Sequence, residues 1–97
     1  MSDPRAFRTV VVNKPEGLHA RPAELFVKLA QRFDANIGVI KDNQRVDGKS
    51  MLNVLSLAAV EGTRLQLEAV GHDAEAALDA LAKLFESGFA DDGTTAP

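Results

Sequence analysis

The chain has 97 residues, of which 45% are hydrophobic and 26% are charged, and this balance is typical of a single soluble globular domain. It contains no cysteine, which excludes disulfides and thiolate metal sites and favours a reducing compartment, so we expect a cytoplasmic protein. A net charge of -3 argues against nucleic acid as a partner, and no apolar run approaches the roughly 20 residues that a membrane helix needs.

The first third of the chain predicts a strand followed by an amphipathic helix. Residues 7–12 form a β-branched run that closes before Asn13 and Pro15. We expect the helix to begin between His19 and Pro22, because proline is tolerated in the first turn of a helix. Its apolar stripe comprises Leu25, Phe26, Leu29, Ala30 and Phe33.

The middle of the chain predicts a β-hairpin and a short helix. Residues 35–40 and 45–47 are strand-like and are separated by a polar segment that is rich in turn residues. Ser50 then precedes an apolar segment that ends at Gly62, so we expect a serine N-cap and a short helix.

The last third of the chain predicts one strand and one helix. Residues 64–70 alternate between apolar and polar, which indicates a strand with one buried face and one face in water. The polar positions, expected to be exposed, are Arg64, Gln66 and Glu68. Asp73 is the expected N-cap of the final helix, and Gly88 is expected to end it.

This order of elements predicts an α+β fold of the open-faced sandwich type. We expect a four-stranded, mainly antiparallel sheet with three helices on one face, in the order βαββαβα. The domain is expected to span residues 6–89. Residues 1–5 and 90–97 have little to bury and are expected to be flexible.

A histidine and an arginine lie at the predicted start of the first helix, in the segment of residues 17–23. The unpaired backbone N–H groups of that turn and the positive helix end form an anion site, and Arg21 adds donors that suit phosphate oxygens. His19 is then a candidate nucleophile that takes up a phosphoryl group. The local chemistry alone leaves two other interpretations open. His19 could be a plain cap residue, or the helix start could bind sulfate or a metabolite.

Two segments resemble the HPr family, the histidine phosphocarriers of the bacterial phosphoenolpyruvate:sugar phosphotransferase system. The sequence GLHARPAE around His19 resembles the active-site signature of that family, and residues 48–57 resemble its regulatory-serine segment at matching spacing. The resemblance implies an HPr-like fold and a phosphocarrier that is a substrate of partner enzymes and is not itself an enzyme. It implies no cofactor and no metal.

The resemblance also implies a role for each matched residue. His19 would receive the phosphoryl group on Nδ1 from enzyme I, which phosphoenolpyruvate charges, and would pass it to an enzyme IIA domain. Ala20 and Arg21 would bind and position the phosphoryl group. Ser50 would be modified by an HPr kinase/phosphorylase, with transcriptional regulators as further partners of a monomeric protein. Docking to partners would use Met51, Leu52 and Leu55.

Several alternatives stay open within this interpretation. An HPr-like paralogue with a regulatory or nitrogen-related role would carry the same motifs as one that serves sugar uptake. Glu24 stands where many relatives have a small or uncharged residue; it is expected in the first helical turn, where it would face a partner or only favour the helix dipole. Asn53 stands where glycine is common. His72 is expected to be an exposed loop histidine and receives no role.

Overall fold

The computed structural model describes residues 3–89. The flexible tail predicted for residues 90–97 lies outside this part of the chain, as do the first two residues. The elements in chain order are β1 (Arg5–Val11), α1 (Ala20–Ala30), β2 (Asn36–Lys41), β3 (Gln44–Asp47), α2 (Met51–Ser56), β4 (Arg64–Val70) and α3 (Ala74–Glu86). None of the helices within residues 3–89 has the length and apolar character needed to cross a bilayer.

The four strands form one antiparallel sheet in the order β1-β4-β2-β3. Alternate residues of the strands point to the helix-covered face, where Val10, Ile37, Val39, Leu65 and Leu67 are buried. The predicted α+β open-faced sandwich is therefore confirmed, including the hairpin of β2 and β3 and the helix that starts after Ser50.

A chain of three phenylalanines joins the two long helices beneath the sheet. The ring of Phe85 in α3 lies 5.9 Å from that of Phe26 in α1 and 4.9 Å from that of Phe89, in edge-to-face arrangements. Burial of such side chains stabilises the fold by about 25 cal/mol per Å² of apolar surface. The same packing brings Phe89 back beside the loop that precedes α1.

The starts of β1 and α3 differ in detail from the sequence predictions. β1 begins at Arg5, earlier than predicted, because Arg5 pairs with Val70 across the sheet. Asp73 occupies the N-cap position of α3, but its side chain makes no capping hydrogen bond. Its two carboxylate oxygens instead accept the backbone N–H groups of Asp34 and Ala35, each at 2.8 Å. Asp73 therefore fixes the connection between α1 and β2.

Glu68 was expected to be exposed on the open face of the sheet, and this prediction is wrong. Glu68 is only 6% exposed. Its carboxylate accepts hydrogen bonds from Arg5 at 2.9 Å and from Arg45 at 2.7 Å. Arg45 can reach across β2 because Gly38, which is opposite Glu68, has no side chain; a Cβ there would lie 2.5 Å from Nη2 of Arg45.

Candidate functional site

The loop before α1 is fixed by contacts to the segment that follows α2. Gly17 has a φ of +78°, and a Cβ at this position would lie 2.6 Å from the carbonyl oxygen of Ala59. Glycine is therefore required for both its backbone angle and its close approach. The next residue, Leu18, is buried and donates its N–H to the same carbonyl at 2.8 Å. These contacts fix the backbone immediately before His19.

His19 is the N-cap residue of α1, with extended backbone angles and no side-chain capping bond. Its carbonyl accepts the N–H of Ala23 at 2.9 Å, and Pro22 has no N–H to donate. The N–H groups of Ala20 and Arg21 therefore lack intrahelical partners at the positive end of the helix. The structure thus brings together His19, Ala20 and Arg21, the three residues predicted to accept or bind a phosphoryl group.

The side chains of His19 and Arg21 line the same open pocket, which has a volume of about 210 Å³. The histidine side chain is 46% exposed, so it is accessible from solvent. The pocket is lined by Lys14, Glu16, His19, Arg21, Pro22, Leu25 and Phe89. The combination of an accessible imidazole with nearby cations suits the transient binding of an anion.

The two ring nitrogens of His19 have different surroundings. Nε2 lies 3.9 Å from the Oε1 atom of Glu16. Nδ1 has no hydrogen-bond partner within residues 3–89. A carboxylate close to one nitrogen disfavours a second anion there, so an anion is less disfavoured at Nδ1 than at Nε2.

Glu24 was expected in the first turn of α1, but it lies after that turn because the helix begins at Ala20. Its carboxylate lies between two cations of the same helix, with Oε1 3.1 Å from Nη1 of Arg21 and Oε2 3.2 Å from Nζ of Lys28. The hydrogen bonds from Lys28 and then from Arg21 lower the pKa of Glu24. Glu24 therefore faces along its own helix and holds the arginine that lines the His19 pocket.

Ser50 occupies the predicted N-cap position of α2. Its Oγ atom accepts the backbone N–H of Asn53 at 3.3 Å and the side-chain amide of Asn53 at 2.8 Å. The helix forms with asparagine at a position where glycine is common. The amide of Asn53 adds a donor beside the serine hydroxyl.

The apolar residues of α2 divide between surface and core. Leu52 is 80% exposed, whereas Val54 is buried. Met51 and Leu55 are partly buried against the core. Among the three predicted docking residues, Leu52 therefore presents the largest exposed fraction. Val60, also strongly exposed, lies next to Gly17 and was missed by the sequence analysis.

Some pocket residues have no signal in the local sequence. Phe89 was not predicted to line the site, since it lies at the far end of the chain and reaches the pocket only through packing on Phe85. Lys14 also lines the pocket and was not predicted to do so. The motif around His19 identifies its neighbours along the chain, but not the pocket residues that other parts of the fold contribute.

One cluster contains side chains of the types that bind metals, at the other end of α1 from His19. The ligand atoms of Asp34, His72 and Asp73 lie within 4.8 Å of one another. Both oxygens of Asp73 already accept backbone N–H groups, and Nε2 of His72 lies 2.9 Å from Oδ2 of Asp34. The cluster is thus satisfied as a connection between α1, β2 and α3.

A comparison with protein families identifies the family of the chain. The family model described as the PTS HPr component phosphorylation site matches residues 7–87. The chain belongs to the HPr family. HPr proteins are phosphocarriers of the phosphotransferase system and are not enzymes, so phosphoryl-transfer partners are the type of partner that family membership implies.

Individual relatives agree with this assignment along most of the chain. Phosphocarrier protein HPr of Treponema pallidum is 44% identical over 82 residues, covering 84% of this chain and 93% of that protein. HPr-like protein Crh of Bacillus subtilis is 44% identical over 73 residues, covering 75% of this chain and 86% of that protein. The crystal structure of HPr-C-His from Thermoanaerobacter tengcongensis matches with a TM-score of 0.85 and 41% identity, covering 91% of this chain and 99% of that one.

Proposed function

We propose that this HPr family member accepts a phosphoryl group on His19 from enzyme I and passes it to an enzyme IIA component. The observation that carries the proposal is the position of His19. Its exposed imidazole lies at the start of α1, next to the N–H groups of Ala20 and Arg21, in a pocket that Arg21 also lines.

The proposed reaction transfers a phosphoryl group from enzyme I to a ring nitrogen of His19. A neutral imidazole has one ring nitrogen with a free lone pair, and this nitrogen is the nucleophile. As the bond from phosphorus to Nδ1 of His19 forms, the bond from phosphorus to the donor atom of enzyme I breaks, and the donor keeps that electron pair. The attacking nitrogen carries no proton, so none has to leave. Transfer to the next partner reverses these events.

The surroundings of His19 suit a carrier better than a storage site. A helix end stabilises one surface charge by roughly 0.3 to 1 kcal/mol, and by up to about 2 kcal/mol when the site is partly buried. Arg21 is largely exposed and contributes charge and orientation without enclosing the group. A phosphoryl group held this loosely can leave again for the next protein.

The exposed part of α2 is the proposed docking surface for these partners. Leu52 offers an accessible apolar side chain, with Met51 and Leu55 beside it and partly buried. The segment after α2 accepts the N–H of Leu18, and α2 packs against α1, which supports docking on this surface near His19. A Leu52→Ala variant should raise the KM for enzyme I with little change in stability, and an unchanged KM would remove Leu52 from the docking surface.

Ser50 is proposed as a regulatory phosphorylation site. A phosphoserine carries about -1.5 to -2 charge at pH 7, and the N–H and amide groups of Asn53 can donate to its oxygens. Incubation with ATP and an HPr kinase/phosphorylase should add one acid-stable phosphate to the wild type and none to Ser50→Ala. A wild type that stays unmodified by the kinase would refute this role.

The similarity to Crh of Bacillus subtilis, a catabolite repression HPr, supports a second candidate, a regulatory paralogue that does not serve sugar uptake. A nitrogen-related branch of the phosphotransferase system is a further variant of this alternative. The acceptor protein distinguishes the sugar branch from the nitrogen-related branch. To test this, the phosphorylated protein would be offered separately to sugar-specific and nitrogen-related IIA proteins. Rapid transfer to only one type assigns the branch.

The central experiment follows phosphate on His19. The protein is incubated with phosphoenolpyruvate and enzyme I, and its intact mass is measured before and after mild acid. We expect one acid-labile phosphate on the wild type, none on His19→Ala, and slower uptake by Arg21→Ala. A wild type that gains no phosphate, or a His19→Ala protein that still gains it, would overturn the proposal.

A further inference from the structure

Glu24 is the feature of the site that the phosphocarrier function does not explain. Its Oε1 atom lies 3.1 Å from Nη1 of Arg21, and the side chain of Arg21 lines the pocket of His19. The guanidinium therefore already has an anionic partner before any phosphoryl group arrives.

We infer that Glu24 is a positioning residue that competes with the phosphoryl group for Arg21 and thereby weakens the hold of His19 on that group. The inference rests on the proposed function of His19 and adds a determinant of how readily the group is passed on. Glu24 itself does not line the His19 pocket, so its effect is exerted through Arg21.

The helix holds Glu24 in the position that this competition requires. Arg21 precedes it by three residues and Lys28 follows it by four, the two spacings that place side chains next to each other on a helix. The second oxygen of Glu24 lies 3.2 Å from Nζ of Lys28, so the carboxylate is bound from the next turn as well. These two cations also favour its ionised form.

A phosphoryl group on His19 competes with Glu24 for the hydrogen-bond donors of Arg21. The group brings up to two negative charges to a pocket in which Glu16 is already 3.9 Å from the imidazole. Arg21 must then leave Glu24 or divide its donors between two anions, and either response reduces the stabilisation of the phosphorylated form. The atoms transferred are unchanged, since one bond to phosphorus breaks as another forms. Only the position of the equilibrium shifts toward donation.

The size of the shift in the phosphorylation equilibrium follows from the solvent exposure of the Arg21–Glu24 ion pair. The side chains of Arg21 and Glu24 are 53% and 41% exposed, and such ion pairs are weak because water screens them. Removal of the carboxylate should therefore favour the phosphorylated form by about two- to fivefold. A change of this size would alter the direction of net flow between two carriers of similar transfer potential.

A competition between two proteins for the same phosphate tests the inference. Equal amounts of 15N-labelled wild type and unlabelled E24Q are mixed with limiting phosphoenolpyruvate and catalytic enzyme I, and the phosphate on each is read by intact mass at equilibrium. We expect E24Q to hold about two- to fivefold more phosphate than the wild type. E24A, which removes the acceptor altogether, should gain at least as much.

Two controls isolate the role of Arg21. D79N removes one carboxylate from the exposed Arg8–Asp79 pair, outside the pocket, and should share phosphate equally with the wild type. In an R21A background, the advantage of E24Q should disappear.

Equal sharing between wild type and E24Q, an equal gain by D79N, or an advantage that persists without Arg21 would each overturn the inference while the phosphocarrier proposal stands. If no variant takes phosphate from enzyme I, the phosphocarrier proposal itself fails, and the inference fails with it.

Discussion

Single residues in the loop before α1 have structural roles that explain the motif around His19. Gly17 is required because the loop passes within contact distance of the Ala59 carbonyl at a positive φ. The sequence predicted His19 and Arg21 at a helix start, and the structure places them there in one pocket. The pairing of Arg21 with Glu24 was not predicted, because helical spacing allows such a pair but does not determine which rotamers the side chains adopt.

His72 gives a prediction for the pH dependence of stability. The hydrogen bond to Asp34, followed by the charge of Asp73, raises the pKa of His72 above its ordinary value of 6.5. The protonated form is therefore favoured in the folded state. This contribution to the free energy of unfolding is fully present below about pH 6.5 and is lost as the pH rises through the folded-state pKa.

The measurement compares wild type with His72→Gln by chemical denaturation at several pH values between about 5 and 9, a range that extends about 1.5 units below and about 2.5 units above the ordinary pKa of histidine. The stability advantage of the wild type should shrink as the pH rises. An advantage that is constant across this range, or that grows with pH, would contradict the assignment.

At the scale of elements, the two N-cap predictions had different outcomes. Ser50 caps α2 as predicted, because its Oγ atom accepts the N–H of Asn53. Asp73 does not cap α3, because two N–H groups of the chain after α1 are better placed to donate to its carboxylate. A cap signal identifies a polar side chain at a helix start, and tertiary structure decides which donors it meets.

Replacement of Ser50 tests the contribution of this cap. Ser50→Ala should lower the free energy of unfolding by about 1 kcal/mol, because the N–H of Asn53 loses its acceptor. Ser56→Ala is the matched control: its hydroxyl donates to the carbonyl of Asn53 from the exposed end of the same helix, and it should have a smaller effect. Urea denaturation of both variants gives the comparison, and equal losses would argue against a capping role.

Across the whole molecule, Glu68 connects three of the four strands on the open face. Arg5 of β1 and Arg45 of β3 both donate to this carboxylate of β4. The two arginines lie on the two edge strands, so the network spans the sheet on the face that no helix covers. We expect it to hold both edges against the central strands.

Glu68→Ala should therefore destabilise the fold by about 1 to 3 kcal/mol, since two charge-assisted hydrogen bonds are lost at a buried position. Asp79→Ala removes the Arg8–Asp79 ion pair, which is more exposed, and should have a smaller effect. Thermal and urea unfolding of the two variants provide the test. A loss for Glu68→Ala that does not exceed the loss for Asp79→Ala would show that the network adds little.

The sequence by itself determined the order of the elements, the antiparallel open-faced fold and the position of His19 at a helix start. These features depend on local periodicity, on cap and turn residues and on a contiguous motif, all of which act between residues close along the chain. Only the tertiary structure decided that Phe89 lines the His19 pocket, that Leu52 faces outward while Val54 faces the core, and that Glu68 is buried. Each of these depends on packing between distant segments, which local sequence patterns do not specify.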